Sequence, residues 1–246
     1  MTSHPRDILP HDLEAMASLT PYPQLLREIA DKARRTIGFF PAHNPRALEY
    51  PWVLARLSGD LRGRRILDVG AGVNPLPFVL ADRGARITTI DNHPVTRDPG
   101  AREQWNEWGF LDYGKFDPRI ASLWAAYEDY DPAEGFDVIY SISVIEHLPA
   151  GVRRSWIGNF ARQLTSGGML LLTVDLVPGT NALWNRSEGQ EVEPQQMHGE
   201  FATLLGELRK AGFEIGFTDI RRAIPDSRVD VGFVMGWKPN SVSASA

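Results

Sequence analysis

The sequence predicts an α/β protein built on a doubly wound, mainly parallel sheet, and three observations support this fold class. From residue 64 onward, short apolar runs alternate with segments of helical periodicity, as is typical of parallel strands joined by crossover helices. The last two apolar runs are separated only by the loop 223–228, which predicts an antiparallel hairpin at the sheet edge. The length of 246 residues fits one such domain with additions to it.

We expect the first part of the chain, residues 1–62, to form a helical cap outside the sheet domain. Leu26, Ile29 and Ala33 are spaced as on one face of a helix, and 53–57 has the same periodicity. Glycine and proline in 38–45 predict a loop between these two helices.

The sheet domain, residues 63–240, follows from apolar runs and from the residues that end them. The helix after the first strand ends at Gly84, the next strand is β-branched, and the run 169–174 is the most apolar. A pair of apolar residues at 110–111 predicts a weak strand. The strands are expected at 66–69, 86–90, 110–111, 136–141, 169–174, 213–220 and 231–237, and the helices at 75–83, 152–164 and 200–211.

Three segments depart from this alternation. Two are insertions at 92–132 and 176–199, and we expect them to shape a ligand pocket because long loops at strand ends usually carry function. The third is the small, polar tail 241–246, which we expect to be flexible.

The composition excludes several classes of protein. The formal net charge of −5 disfavours a nucleic-acid partner, and the absence of cysteine excludes disulfides, thiolate nucleophiles and cysteine-ligated metals. No histidine pair lies at ligand spacing with carboxylates, so we expect no metal site. The chain has no apolar run of 18 residues and no apolar signal core, and we expect a cytoplasmic protein without a membrane partner. Nothing in the sequence indicates the oligomeric state.

The segment 68–75 follows a predicted strand and opens a predicted helix, which is where doubly wound sheets bind nucleotide-like ligands. Gly70 and Gly72 permit a tight turn and a close approach of ligand to main chain. Asn74 is a good N-cap, and Pro75 suits the first helical position. A turn that only requires positive φ would explain the two glycines equally simply.

An acidic residue strengthens the ligand interpretation. Asp91 ends the second strand, 19 residues after Gly72, where a carboxylate can accept hydrogen bonds from both hydroxyls of a ribose. The alternative is a solvated carboxylate at the end of a strand. Because Pro75 occupies the glycine position of a dinucleotide fingerprint and the loop lacks basic residues, nicotinamide and triphosphate ligands are disfavoured.

With these motifs, the chain resembles the class I S-adenosylmethionine-dependent methyltransferases. The resemblance rests on 66–72, on the strand end at 90–91, on the strand 136–139 and on the turn 166–172, and it covers residues 64–237. It implies a Rossmann-like seven-stranded sheet in the order 3-2-1-4-5-7-6 with the last strand antiparallel. Many members carry a third glycine where this chain has Asn74.

The resemblance also implies the cofactor and its ligands. S-adenosylmethionine would be held through its amino-acid end by the glycine-rich loop, through its ribose by Asp91 and through its adenine by Asp112, with Ser141 and Ser143 lining the methyl-transfer cleft. The full set of implied cofactor-binding residues is Asp68, Gly70, Ala71, Gly72, Asn74, Asp91, Asn92, Asp112, Ser141 and Ser143. Arg46 and Tyr50 are further candidates to close over the cofactor.

Two histidines are candidate catalytic bases. His147 belongs to a Glu-His segment after the fourth strand, and similar segments occur in family members that act on small molecules. An unperturbed imidazole titrates near neutrality and can remove a proton from an oxygen or nitrogen nucleophile. His198 is the second candidate. Packing beside the strand, with catalysis by proximity alone, is the alternative for His147.

These observations predict an enzyme that transfers a methyl group from S-adenosylmethionine to a small organic acceptor, at oxygen or nitrogen, by in-line displacement. Three alternatives remain open at this point. They are a nucleic-acid methyltransferase on the same fold, a cofactor-binding module without transferase activity, and a nicotinamide oxidoreductase.

Overall fold

The computed structural model describes residues 7–92, 107–184, 186–187, 190–191 and 198–240. The chain forms two compact units, one made of Met1–Tyr127 and Ile224–Ser227 and the other of Glu128–Ala223 and Arg228–Ala246. The boundary predicted at residue 62 lies inside the first unit, so the separate helical cap stays a prediction. The predicted tail, 241–246, lies outside the described residues.

Three helices open the first unit: α1 (Pro10–Leu19), α2 (Pro23–Thr36) and α3 (Arg46–Arg56). Both predicted helical segments are confirmed, in α2 and α3. The buried face of α2 consists of Leu26, Ile29, Ala30 and Ala33. Their spacing of three, four and seven residues places them on one stripe, and this stripe packs α2 against α3.

The first unit also holds three parallel strands and one helix: β1 (Arg65–Val69), α4 (Leu76–Asp82), β2 (Arg86–Asp91) and β3 (Ile120–Trp124). Strand β2 pairs with β1 on one side and with β3 on the other, which places Asp91 opposite Trp124. The predicted strands at 66–69 and 86–90 are confirmed.

The strand predicted at 110–111 is wrong. Phe110 and Leu111 are buried, but they lie in irregular chain, and the third strand begins only at Ile120. Two apolar residues can fill the core from a loop, whereas a strand needs a run of backbone groups paired with a neighbour. Asp112 consequently precedes a short 3-10 turn, Tyr113–Lys115, and does not end a strand.

The second unit contains β4 (Phe136–Ile142), α5 (Ala150–Gln163), β5 (Leu164–Leu176), α6 (Phe201–Lys210), β6 (Glu214–Arg221) and β7 (Asp230–Trp237). Strand β5 runs parallel to β4 and antiparallel to β7. Strands β6 and β7 pair antiparallel, which confirms the predicted terminal hairpin. Arg186–Ser187 and Gln190–Glu191 form a separate two-stranded ribbon.

The seven main strands follow the order β3-β2-β1-β4-β5-β7-β6, and the fold is the Rossmann-like α/β sheet that the sequence predicted. Leu170, Leu171, Leu172 and Val174 of β5 are almost inaccessible to solvent. A continuous apolar run without polar alternation suits a strand covered on both faces. No helix among the described residues is both long and apolar enough to cross a bilayer.

Candidate functional site

The glycine-rich loop between β1 and α4 has the backbone that its sequence predicts. Gly70 and Gly72 adopt φ values of +73° and +54°, which side chains rarely tolerate. A Cβ atom on Gly72 would lie 2.2 Å from the carbonyl oxygen of Glu107. Both the turn and a close approach of neighbouring main chain therefore require glycine at this position.

Asp91 is bound to this loop. Its Oδ2 accepts a hydrogen bond of 2.9 Å from the Gly72 N–H, and its side chain is half-buried at the carboxyl end of β2. Asn92, the next residue, is exposed. The structure thus brings together two positions, Gly72 and Asp91, that the sequence analysis linked by spacing alone.

The side chain of Asn74 is used within the loop. Its Nδ2 donates to Asp68 Oδ2 (3.1 Å) and to the carbonyl of Ala71, and its Oδ1 accepts from the Leu76 N–H (2.9 Å). The predicted cap is wrong by one residue: α4 begins at Leu76 with Pro75 at its N-cap, and the Asn74 side chain accepts the N–H of the first helical residue from one position further back. Both amide hydrogens bind protein acceptors, so Asn74 acts on the shape of the loop and on the carboxylate of Asp68.

Two residues at this site were missed by the sequence analysis, Tyr113 and Glu107. The hydroxyl of fully buried Tyr113 bonds to the loop backbone at Gly72 and Asn74. Burial and the nearby Asp68 raise the pKa of Tyr113 well above its ordinary value. Neither residue belongs to a motif, and their distance in sequence from the loop leaves no local signal.

Glu107 contacts the loop through its main chain and takes part in a buried charge cluster through its side chain. Its carbonyl accepts the Val73 N–H (3.2 Å), and its carboxylate contacts Arg46 Nε and His43 Nδ1, each at 3.2 Å. Burial favours a higher pKa for Glu107, but Arg46 and His43 outweigh it, so the pKa of that carboxyl lies below its usual range. Arg46 is also held by Glu49, at 2.6 Å.

Two further candidates of the first unit are Tyr50 and Asp112. Burial raises the pKa of Tyr50, which is almost inaccessible to solvent. Asp112 lies 3.7 Å from Lys115, in a half-exposed turn. The adenine role of Asp112 assumed a strand immediately before it, and that strand is absent from the described chain at 107–112.

The second unit gathers a polar cluster where β4 and β5 end. Ser141 is buried in β4, and Ser143 follows at φ +50°, a conformation seldom adopted outside glycine. The Ser143 hydroxyl donates to Asp175 Oδ1 (3.0 Å), and the Asp175 N–H donates to Glu146 Oε1 (2.9 Å). Asp175 is the penultimate residue of β5 and directly follows the apolar run 169–174, and that position was the sequence signal that could have identified it.

Both candidate bases lie at Glu146. His198 is buried, and its Nδ1 is 2.9 Å from the Glu146 carbonyl oxygen. Because a carbonyl only accepts hydrogen bonds, Nδ1 carries the proton and the neutral ring has its lone pair on Nε2. The side chain of His147 is 41% exposed, with Nε2 3.8 Å from Glu146 Oε1.

The same cluster offers donor atoms of the kinds that bind divalent cations. Among the described residues, Glu146, His147 and Asp175 each place one such atom within 4.8 Å of the others. The sequence could not indicate this group, because Asp175 lies in β5 and the Glu-His segment follows β4. The expectation of no metal site stays a prediction.

Comparison with known proteins places these features in a family. A family model described as a methyltransferase domain matches residues 42–223. The ubiquinone biosynthesis O-methyltransferase of Pseudomonas entomophila (strain L48) is 32% identical over 115 residues, which are 47% of this chain and 46% of that protein. The enzyme of the same name from Xanthomonas oryzae pv. oryzae (strain PXO99A) is 35% identical over 152 residues, 58% of this chain and 56% of its own. The chain thus spans about half the length of these relatives.

Solved structures share the fold. The 1,6-didemethyltoxoflavin-N1-methyltransferase of Burkholderia thailandensis, with bound 1,6-didemethyltoxoflavin and S-adenosylhomocysteine, superposes with a TM-score of 0.59. The match is 16% identical and covers 94% of this chain and 91% of that one. The N-methyltransferase NodS from Bradyrhizobium japonicum WM9 reaches 0.53 at 19% identity, over 77% of this chain and 94% of its own.

Proposed function

The chain belongs to the methyltransferase-domain family, and we propose that it transfers a methyl group from S-adenosylmethionine to an oxygen or nitrogen of a small organic acceptor. The relatives named above support a small acceptor, since one group is named for ubiquinone biosynthesis and the Burkholderia enzyme holds 1,6-didemethyltoxoflavin.

The observation that carries the proposal is the donor set of the glycine-rich loop. Asp91 presents a half-buried carboxylate at the end of β2, oriented by the Gly72 N–H, and Asp68 is a second carboxylate at the same loop. No lysine or arginine lies between residues 68 and 75. Carboxylates without basic residues suit ribose hydroxyls and the ammonium group at the amino-acid end of the cofactor better than they suit a pyrophosphate.

When bound, S-adenosylmethionine supplies an electrophilic methyl group on a sulfonium. Within the first unit, Asp91 would hold the ribose, and the glycine-rich loop from Gly70 to Gly72 would lie against the amino-acid end. Alignment and proximity of the acceptor account for much of the rate of such a displacement. The protein would also have to exclude water from the bound acceptor.

Within the second unit, His198 is the base we assign to the acceptor proton. The hydrogen bond from its Nδ1 to the Glu146 carbonyl keeps the lone pair on Nε2, and Nε2 would take the proton as the nucleophile loses it. Glu146 is in turn held by the Asp175 N–H, so the backbone that orients His198 is fixed by β5. His147 is more exposed and is the alternative base.

The cofactor assignment is tested by calorimetric titration with S-adenosylhomocysteine, followed by a radiolabelled methyl-transfer assay on a panel of phenols, catechols, amines and N-heterocycles. We expect saturable binding and labelling of at least one acceptor. Failure of the protein to bind the product at millimolar concentration would overturn the assignment.

Replacing His198 tests the base. His198→Ala should lower kcat by about 10²- to 10⁴-fold, the usual contribution of a general base, and leave the affinity for S-adenosylhomocysteine unchanged. His11→Ala, at an exposed histidine of α1, is the matched control. Full kcat in His198→Ala together with a large loss in His147→Ala would assign the base to His147 instead.

A further inference from the structure

The hydroxyl of Tyr113 spans the glycine-rich loop. It accepts a hydrogen bond of 2.8 Å from the Asn74 N–H and donates one of 3.0 Å to the Gly72 carbonyl. A phenol is both donor and acceptor, so one oxygen can join the two peptide groups on either side of Val73.

Tyr113 is itself held rigidly. Its side chain is inaccessible to solvent, and its ring packs against Phe78 of α4 with centroids 5.2 Å apart. Its N–H donates to the Ser122 hydroxyl of β3, at 2.9 Å. The hydroxyl therefore reaches the loop from a position fixed by the core of the first unit.

The side chain of Asn74 also holds this loop. It joins Asp68, the Ala71 carbonyl and the Leu76 N–H. A glycine at this position would leave these three groups without that partner. In this chain the side chain of Asn74 and the hydroxyl of Tyr113 supply the order that a glycine cannot.

We propose that Tyr113 is a positioning residue that, together with Asn74, holds the glycine-rich loop in the shape that receives the cofactor; the inference rests on the function proposed above. Cofactor binding to a loop that is already ordered does not have to offset the entropy of ordering it. The hydroxyl of Tyr113 contacts the backbone of the loop, and its effect on the cofactor would pass through Gly72 and Asn74. An ordinary phenol, with a pKa of about 10, is protonated at neutral pH, and burial raises the pKa of Tyr113 further, so its hydroxyl can donate to Gly72.

The test uses Tyr113→Phe, which removes the hydroxyl and keeps the ring. We expect S-adenosylhomocysteine to bind about tenfold more weakly, as the loss of one or two neutral hydrogen bonds implies. KM for S-adenosylmethionine should rise by a similar factor, and kcat at saturating cofactor should stay the same. Tyr140→Phe, at a buried tyrosine of β4, is the matched control and should change neither.

Asn74→Gly is a second variant, and it tests the inference even if Tyr113→Phe does not fold. It removes the Asn74 side chain and its three hydrogen bonds, and it should also weaken binding. The combined variant should lose less than the product of the two single losses, because both side chains act on one loop.

The outcomes separate this inference from the proposed function. If the unaltered protein binds S-adenosylhomocysteine and Tyr113→Phe binds it equally well, with only a lower melting temperature, Tyr113 is merely structural and the inference is wrong. Tighter binding by Asn74→Gly would also overturn it. Absence of binding by the unaltered protein would overturn the proposed function, and the inference with it.

Discussion

In the function proposed above, the side chain of Asp91 has two tasks. Its Oδ2 accepts the Gly72 N–H, which ties the glycine-rich loop to the end of β2. The same carboxylate lies at the strand end where the fold binds a ribose. Spacing from Gly72 identified Asp91 from the sequence, but the hydrogen bond between them became evident only in three dimensions.

Asp91→Asn is the sharpest residue-scale test of the ribose assignment. An amide keeps the shape of the side chain and removes its charge, so hydrogen bonds to hydroxyls weaken; we expect a loss of roughly 10- to 100-fold in affinity for S-adenosylhomocysteine. Asp60→Asn, at an exposed aspartate bound to Arg62, is the control. Equal affinities in calorimetry would mean that Asp91 does not bind the ribose.

At the scale of the element, the loop between β1 and α4 is the part of the molecule that its own sequence specifies best. Glycines supply the positive φ values, and the side chain of Asn74 accepts the N–H of Leu76, the first residue of α4. The approach of Glu107 to Gly72 adds a constraint that no local rule contains.

Gly72→Ala measures that constraint. The new Cβ would meet the Glu107 carbonyl at 2.2 Å in addition to the strain at φ +54°. Gly63→Ala is the matched control, because Gly63 has φ +74° with open space around it. We expect Gly63→Ala to cost about 1 to 2 kcal/mol of unfolding free energy. Gly72→Ala should cost more and should also weaken cofactor binding; equal losses in urea denaturation would contradict the close approach.

The buried pair of Glu107 with Arg46 predicts a dependence of stability on pH. A carboxyl whose pKa is lowered in the folded state stabilises it above the unfolded pKa, about 4.3, and loses this contribution as pH falls through the folded value. The stability advantage of the unaltered protein over Glu107→Gln should therefore be largest at pH 7 and shrink as pH falls below about 5. Urea denaturation at several pH values measures it, and an advantage that grows on acidification would have the wrong sign.

At the scale of the whole molecule, the acidic composition separates the proposed function from action on nucleic acid. A formal net charge of −5 gives no general attraction to phosphate. We expect no retention of single-stranded RNA or duplex DNA in mobility-shift assays at low salt, with protein at about 10 μM, where non-specific binders are retained. Salt-sensitive retention would restore the nucleic-acid alternative.

Much of the fold was predictable because its signals are local. Apolar periodicity located α2 and α3, breakers bounded β1 and β2, and the missing helix before the last strand predicted the terminal hairpin. The prediction failed at β3. The buried loop residues Phe110 and Leu111 have a clearer apolar pattern than the strand itself. The strand Ile120–Trp124 includes alanine and serine, and four of its five residues are half-buried or exposed, so its apolar signal is weak.

The sequence by itself determined most of the strands and helices, the turn at Gly70 and Gly72 and the candidate ribose carboxylate, because each depends on residues close together in the chain. The tertiary structure alone decided that Tyr113 holds Asn74, 39 residues away, and that His198 meets Glu146, 52 residues away. It also decided that Asp175 joins Glu146 and Ser143. Such contacts follow from how the strands pair and where the loops between them return, and spacing along the chain does not encode either one.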